Sequence, residues 1–149
     1  MAPAAAHVGQ ELVLHASTVA IGTRALVIVG PSGSGKSGLA LQLLACGARL
    51  IADDRTLLTA SPDGPPLASC PPAIRGQVEA RGIGILHVDP SPPAPVAAVV
   101  DLSREETDRL PPERTYDLLG YPVPCFHKVA TPYFAAGVLQ YLKGGRSPA

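Results

Sequence analysis

The sequence contains no tryptophan, and tyrosine and phenylalanine together supply only 4% of its 149 residues. A hydrophobic core made from this chain must therefore consist of alanine, valine, leucine and isoleucine side chains. Cysteine is scarce as well: Cys46, Cys70 and Cys125 are widely spaced, odd in number and form no Cys-x-x-Cys pair. This pattern argues against a disulfide framework and a zinc site, and it predicts a reducing, cytoplasmic location.

The chain also lacks an excess of charge and a long apolar run. Its 12 basic and 12 acidic residues cancel, which leaves no basic footprint for nucleic acid or for an anionic membrane. No apolar run approaches the roughly 20 residues of a membrane span. The opening MAPAAAHVGQ has neither the basic nor the apolar region of a signal peptide.

The order of apolar segments predicts an α/β fold with a mixed β-sheet and a few flanking helices. We expect one domain over residues 1–145 and a disordered tail over 146–149. Thr131 and Pro132 read as the N-cap and first residue of the last helix, and the charged run 104–109 reads as a solvated helical turn. Strands are predicted at 12–15, 18–21, 25–29, 50–52, 56–60, 67–70, 83–88 and 96–100, and helices at 36–46 and 132–143.

The strongest motif is GPSGSGKS, which matches the P-loop pattern G-x-x-x-x-G-K-[ST] without deviation. It lies between a strand-like run and a helix-like run, which is the context that the pattern requires. The α/β fold is therefore expected to be a P-loop kinase-like domain. Its glycines allow successive backbone N–H groups to face phosphate oxygens, at the positive end of the following helix. The predicted nucleotide-binding residues are Gly30, Pro31, Ser32, Gly33, Ser34, Gly35, Lys36 and Ser37.

A phosphate loop does not specify a reaction, which requires a further carboxylate to position the accepting group. Two candidates follow apolar runs: the pair Asp53 and Asp54, and Asp101 after residues 96–100. The sequence pattern favours neither candidate clearly over the other as the positioning carboxylate. Adjacent carboxylates repel each other, which favours a proton-transfer role for one of the pair.

With these residues in place, the chain resembles the catalytic domain of the HPr kinase/phosphorylase family. The resemblance depends on an early His15, on GPSGSGKS, on ARLIADD at 48–54 and on EARGIGILHV at 79–88. The spacing agrees too, because Asp54 follows Lys36 at the family's interval. The similarity is to the short, kinase-domain-only members of the family.

The resemblance implies a protein serine kinase, and a phosphorylase in the reverse direction, that acts on HPr with ATP and Mg²⁺. By the same resemblance, Lys36 holds the phosphates and Asp54 exchanges the proton of the seryl hydroxyl, supported by Asp53 and His15. Ser37 and Glu79 are implied as metal ligands. The segment 81–88 is implied in dephosphorylation and subunit contacts, and the family's hexamers imply a homo-oligomer.

The sequence departs from the family pattern at two places. Gly38 stands where an acidic residue usually follows the P-loop serine, and residues 121–134 lack the arginine that the family carries in a downstream loop. His127, Lys128 and Arg114 are possible substitutes for this arginine, although a lysine cannot form the arginine fork. These departures favour one alternative, a nucleotide-binding regulator with little or no turnover. A small-molecule P-loop kinase is a second alternative, against which the absence of an arginine-rich lid segment argues.

Overall fold

The phosphate loop connects a strand that is buried except at its first residue to a helix, as its sequence predicts. A computed structural model describes residues 10–147. Its strands are β1 (Glu11–Leu14), β2 (Ser17–Ile21), β3 (Arg24–Val29), β4 (Arg49–Ala52), β5 (Thr56–Ser61), β6 (Gly64–Ser69), β7 (Gln77–Ala80), β8 (Gly84–His87), β9 (Ala94–Glu105), β10 (Thr115–Leu118) and β11 (Tyr121–Lys128). Its helices are α1 (Lys36–Ala45) and α2 (Phe134–Gly144), with a 3₁₀ turn at Pro72–Ile74.

Nine of these strands form one mixed sheet, which confirms the predicted fold class. Its main path runs β1-β5-β6-β9-β3-β2-β4, and β11 joins it through β9 while β10 pairs with β11. The pairs β3–β9 and β9–β11 are parallel, and the other pairs in the sheet are antiparallel. Strands β7 and β8 form a separate hairpin.

The central strand β3 is buried on both faces, which explains its continuous apolar sequence. Leu26 and Ile28 pack with α1 and α2, for example against Leu43. Val27 and Val29 face a second cluster, to which β5, β6, β10 and β11 contribute side chains. The helices therefore cover one face of the sheet, and outlying strands of the same sheet supply the core on the other face.

The antiparallel strand β2 lies between β3 and β4, and this arrangement decides what meets at the phosphate loop. The carboxyl ends of β3 and β4 point to the same edge of the sheet, together with the amino end of β2. Ser17 is level with Ile28, and Thr18 is level with Ala52. The residues that follow β4 therefore reach the loop that follows β3.

Two helical predictions were wrong in detail. The run 104–109 forms no helical turn, because β9 continues to Glu105 and the residues after it are irregular. Helix α2 begins at Phe134 with Tyr133 as its N-cap, so Thr131 is not the cap. The start is shifted because residues 131–133 form a separate turn, in which the Phe134 amide donates to the Thr131 carbonyl at 3.3 Å.

Three strands were not predicted: β7, β10 and β11. Strand β11 carries Pro122 and Pro124, and proline normally argues against a strand. Both prolines are exposed, whereas the alternate residues Val123 and Cys125 are buried in the core. The alternation of burial identifies the strand only once the sheet is assembled.

Some sequence-based expectations fall outside the described range. The expected lack of a signal peptide concerns residues 1–9, and the end of the predicted tail concerns 148–149. Among residues 10–147, no helix combines the length and hydropathy needed to cross a bilayer.

Candidate functional site

Most of the predicted site residues converge on one cavity of about 380 Å³ beside the phosphate loop. The family resemblance implied these residues from positions scattered over 65 residues of sequence, and the fold brings them together. Four lining residues were not predicted as catalytic or ligating: Ser17, Gly38, Leu41 and Arg81. The cavity is lined by His15, Ser17, Ser32, Gly33, Gly35, Lys36, Ser37, Gly38, Leu41, Asp54, Glu79 and Arg81.

The start of helix α1 is prepared for an anion. Gly35, in the left-handed conformation at φ 99°, is the N-cap, and no side chain caps this end. The first turn also contains no acidic residue, because Gly38 stands there. The uncompensated N–H groups and the helix dipole therefore favour a phosphate at this position.

Lys36 is buried at 7% exposure beneath its own loop. Its Nζ donates to the carbonyl of Gly30 at 2.8 Å and to that of Pro31 at 3.1 Å. An ammonium group has three donors, so one remains beyond these two contacts. Gly30, Pro31 and Ser34 belong to the motif but do not line this cavity.

Asp53 is the buried centre of the site, at 7% exposure. Its Oδ1 accepts hydrogen bonds from the hydroxyls of Ser17 and Ser37, each at 2.7 Å. Its Oδ2 accepts the backbone N–H of Glu79 at 3.0 Å. One carboxylate thus ties β2, α1 and the β7–β8 hairpin together, and it satisfies the phosphate-loop serine.

Asp54 points elsewhere, although it is adjacent in sequence. It has a positive φ of 71°, and the Arg55 N–H donates to the Asp53 carbonyl at 2.8 Å. A hydrogen bond across a central residue with this φ is typical of the rarer, strained form of γ-turn. The turn directs the two carboxylates to different partners.

His15 is the partner of Asp54. Its Nε2 lies 2.6 Å from Asp54 Oδ1, and the two side chains are 54% and 64% exposed. Asp54 is therefore held by the imidazole and remains accessible to a molecule that enters the cavity. A carboxylate with this accessibility can accept a proton from a docked hydroxyl.

The residues present fit a magnesium ion bound together with nucleotide phosphates. The Ser37 hydroxyl donates a hydrogen bond to Asp53, which leaves the lone pairs of its oxygen for a cation. Glu79 offers a second oxygen ligand at the same cavity. Mg²⁺ commonly takes one or two protein oxygens and completes its shell with phosphate and water. Within residues 10–147, no cluster of three or more histidine, cysteine or acidic side chains could hold a metal.

Asp101, the other carboxylate weighed from the sequence, does not line the cavity beside the phosphate loop. It lies inside β9, level with Val29, and so it does not end a strand. Its Oδ1 accepts hydrogen bonds from the backbone and the hydroxyl of Ser103. It lines a different cavity with Arg104 and Arg114, so the structure favours the pair at 53–54 for the site.

The three possible substitutes for the family's downstream arginine lie in different places, and none of them lines the cavity that contains Asp54. Arg114 donates two 2.9 Å hydrogen bonds to Glu106, away from the phosphate loop. His127 lines neither cavity at the loop, and Lys128 lines a second cavity on the other side of α1. Arg81 is the arginine that lines the same cavity as Asp54, and it takes part in none of the ion pairs found among the described residues.

Ser17 is the site residue that the sequence did not reveal. It is fully buried, and besides its bond to Asp53 its Oγ lies 3.4 Å from the backbone N–H of Asp54. A single serine at the start of a strand carries no pattern of its own. Only the position of β2 beside β4 brings it to the paired aspartates.

The phosphate loop and the segments around it match a known protein family. The family model described as HPr Serine kinase C-terminal domain matches residues 6–91, which is more than half of the chain. The chain belongs to this family. The match spans the early histidine, the phosphate loop, the paired aspartates and the Glu79 segment, so all residues of the site described above lie within it.

Individual relatives carry related names. HPr kinase/phosphorylases of Stenotrophomonas maltophilia and Xanthomonas campestris pv. campestris are each 38% identical over 78 residues, which is 52% of this chain and 25% of theirs. The match thus covers a quarter of the length of these relatives. The solved Hpr(Ser) kinase/phosphatase from Coxiella burnetii superimposes with a TM-score of 0.72 at 26% identity, over 89% of this chain and 88% of that one.

Proposed function

We propose that this domain is an ATP-dependent protein serine kinase that phosphorylates HPr, and that it also catalyses the reverse phosphorolysis. The observation that carries the proposal is the placement of Asp54, with its partner His15, in the same cavity as Lys36 and Ser37. A group that can accept a proton therefore faces the phosphate loop across a space open to a second molecule. Membership of the HPr Serine kinase C-terminal domain family supports HPr as that molecule.

In the forward direction, the loop N–H groups and Lys36 hold the ATP phosphates. The seryl oxygen of HPr attacks the γ-phosphorus, the bond to the ADP oxygen breaks, and Asp54 accepts the seryl proton. Such transfers depend mainly on positioning, so a carboxylate of ordinary basicity suffices. His15 holds Asp54 in orientation, and the buried Asp53 holds Ser37.

In the reverse direction, inorganic phosphate attacks the phosphorus of phosphoserine. The bond to the seryl oxygen breaks, Asp54 returns a proton to that oxygen, and pyrophosphate is the product. Ser37 and Glu79 would hold Mg²⁺, which neutralises phosphate charge when it is bound. Arg81 adds a second positive charge at the same cavity, which Lys36 also lines.

The proposal includes a cytoplasmic location and a homo-oligomer. All three cysteines are unpaired, which fits a reducing compartment. Ile83 and Ile85 are 77% and 60% exposed on the β7–β8 hairpin, and exposed apolar side chains of this kind favour a subunit contact. Light scattering should show an oligomer that the double substitution Ile83→Ser and Ile85→Ser weakens, and a monomer in the unsubstituted protein would contradict this part.

The experiment is incubation of the protein with HPr, ATP and Mg²⁺, followed by mass spectrometry for phosphoserine on HPr. We expect Asp54→Asn to lower the transfer rate by about 10²–10⁴-fold, the usual contribution of a positioned base, while ATP affinity is kept. Asp63→Asn, an exposed carboxylate in the β5–β6 turn, is the matched control and should transfer normally. Binding of ATP without transfer to HPr would instead favour the regulator, and ADP formation with a small acceptor would favour the small-molecule kinase.

A further inference from the structure

A second cavity of about 380 Å³ lies beside the phosphate loop, next to the catalytic cavity. Ser34, Leu39 and Gln42 line it from the loop and α1, and Lys128, Thr131 and Phe134 line it from the connection between β11 and α2. Gly35 and Gly38 line both cavities. A ligand held by the loop can therefore extend into both cavities.

The topology makes this second cavity a binding position. Strands β3, β9 and β11 are parallel neighbours, so their carboxyl ends open to the same edge of the sheet. Ligands of open α/β sheets bind outside such carboxyl ends. The catalytic cavity lies towards β2 and β4, whereas the second cavity lies towards β9 and β11.

Two buried hydroxyl groups line this cavity without a hydrogen-bond partner. Ser34 Oγ and Thr131 Oγ1 are the only buried side-chain nitrogen or oxygen atoms in residues 10–147 that lack a partner. A buried polar group without a partner destabilises a folded protein, so such groups are rare. Their location in a single cavity beside a nucleotide loop indicates that a ligand supplies the partner.

The cavity also has an apolar side. Phe134 and Val129 line it and continue into a larger, mainly apolar cavity of about 710 Å³, to which Tyr133 and Tyr141 contribute. Hydroxyl and ammonium groups next to aromatic side chains suit a sugar joined to a flat, apolar base. Inorganic phosphate or pyrophosphate would use none of the apolar surface.

We propose that this cavity binds the nucleoside part of ATP, with Thr131, Ser34 and Lys128 as its polar contacts. The inference rests on the proposed function only in taking ATP as the ligand of the loop. The γ-phosphate then faces Asp54 on one side of α1, and the nucleoside lies on the other side. The segment Lys128–Phe134 therefore contributes to nucleotide affinity, although it contains none of the phosphate-loop motif.

The test compares MgATP with inorganic tripolyphosphate plus Mg²⁺, a probe with the same phosphate chain and no nucleoside, by isothermal titration calorimetry. Thr131→Val keeps the shape of the side chain and removes its hydroxyl. We expect it to weaken ATP binding about 3–10-fold, the equivalent of one hydrogen bond, and to leave tripolyphosphate affinity unchanged. Thr59→Val on β5 is the matched control and should change neither affinity.

Lys128→Met provides a second variant, since Lys128 is exposed and its replacement does not disturb the core. It should weaken ATP binding more than tripolyphosphate binding, and an unchanged tripolyphosphate affinity also shows that the loop is folded. The proposal is overturned if both variants bind ATP as tightly as the unsubstituted protein. It is also overturned if the unsubstituted protein binds tripolyphosphate as tightly as ATP, or binds neither.

These measurements are independent of the transfer reaction. A protein that binds ATP through the second cavity but does not phosphorylate HPr would support this inference and contradict the proposed function. A protein that phosphorylates HPr but whose Thr131→Val and Lys128→Met variants bind ATP normally would support the proposed function and contradict this inference.

Discussion

The hydroxyl of Ser17 donates a 2.7 Å hydrogen bond to Asp53 Oδ1, although the two residues are 36 positions apart. The same Asp53 oxygen accepts the hydroxyl of Ser37 at 2.7 Å. The serine of the phosphate loop and a serine of a neighbouring strand therefore share one acceptor. Through this acceptor, β2 helps to fix the position of the loop.

We predict that Ser17→Ala destabilises the fold by about 1–3 kcal/mol, because it removes a buried hydrogen bond to a carboxylate. Urea unfolding measures the change in the free energy of unfolding. The transfer rate should also fall, since Asp53 and the Asp54 backbone both lose a contact. Ser69→Ala on β6 is the control, and an effect no larger than that of the control would show that Ser17 does not position Asp53.

Two glycines, one inside α1 and one just after it, are predicted to change stability in opposite directions when replaced by alanine. A methyl group added to Gly38 in α1 would meet no atom within 4 Å, so Gly38→Ala should stabilise the fold by about 0.5–1 kcal/mol. Gly47 follows the same helix at φ 106°, where an L-residue is strained, so Gly47→Ala should cost about 1–2 kcal/mol. Urea unfolding of both variants tests the pair, and a loss of stability in Gly38→Ala would contradict the open space around that position.

The pair Glu106–Arg114 predicts a dependence of stability on acid. The two hydrogen bonds from the Arg114 guanidinium lower the pKa of Glu106 from 4.5 to about 2. A lowered carboxyl pKa stabilises the fold above the unfolded value, and this contribution is lost as the pH falls from about 4.5 towards 2.

The measurement is urea unfolding of the unsubstituted protein and of Arg114→Gln between pH 7 and pH 2. The difference in stability between them should be constant above about pH 5 and should shrink below pH 4.5. Arg24→Gln, at the exposed start of β3, should show no such pH dependence. A difference that stays constant down to pH 2 would mean that the pair does not shift the pKa of Glu106.

The cysteines predict an order of thiol reactivity. Burial, with a smaller contribution from Asp101, raises the pKa of Cys125 to about 11, and burial also raises the pKa of Cys70. Since the thiolate is the reactive form, only about one Cys125 in a thousand is reactive at pH 8. Cys46 is exposed at the end of α1.

A disulfide reagent at pH 8 should therefore modify Cys46 first, Cys70 more slowly and Cys125 only on unfolding. Cys46→Ser should abolish the fast phase while it leaves the others unchanged. Rapid modification of Cys125 in the folded protein would show that β11 opens on the time scale of the experiment.

The sequence by itself determined the features that depend on neighbouring residues. The glycine spacing of residues 30–37, the apolar run before it and the helix after it are local, and each appears where it was predicted. Gly47 ends the helix for a reason that is also local, since only its backbone adopts φ 106° without strain. The family motifs extended this to His15, Asp54 and Glu79, because their spacing is characteristic.

Only the tertiary structure decided how the two aspartates divide their contacts, because this depends on which strand lies beside β4. The insertion of β2 places Ser17 against Asp53, and the positive φ of Asp54 turns its carboxylate towards His15. The second cavity likewise exists only because β11 ends beside α1. The prolines of β11 prevented its recognition as a strand from the sequence. Contacts between distant segments arise from the pairing order of the strands, and hydrophobic patterning specifies each strand but not its neighbours.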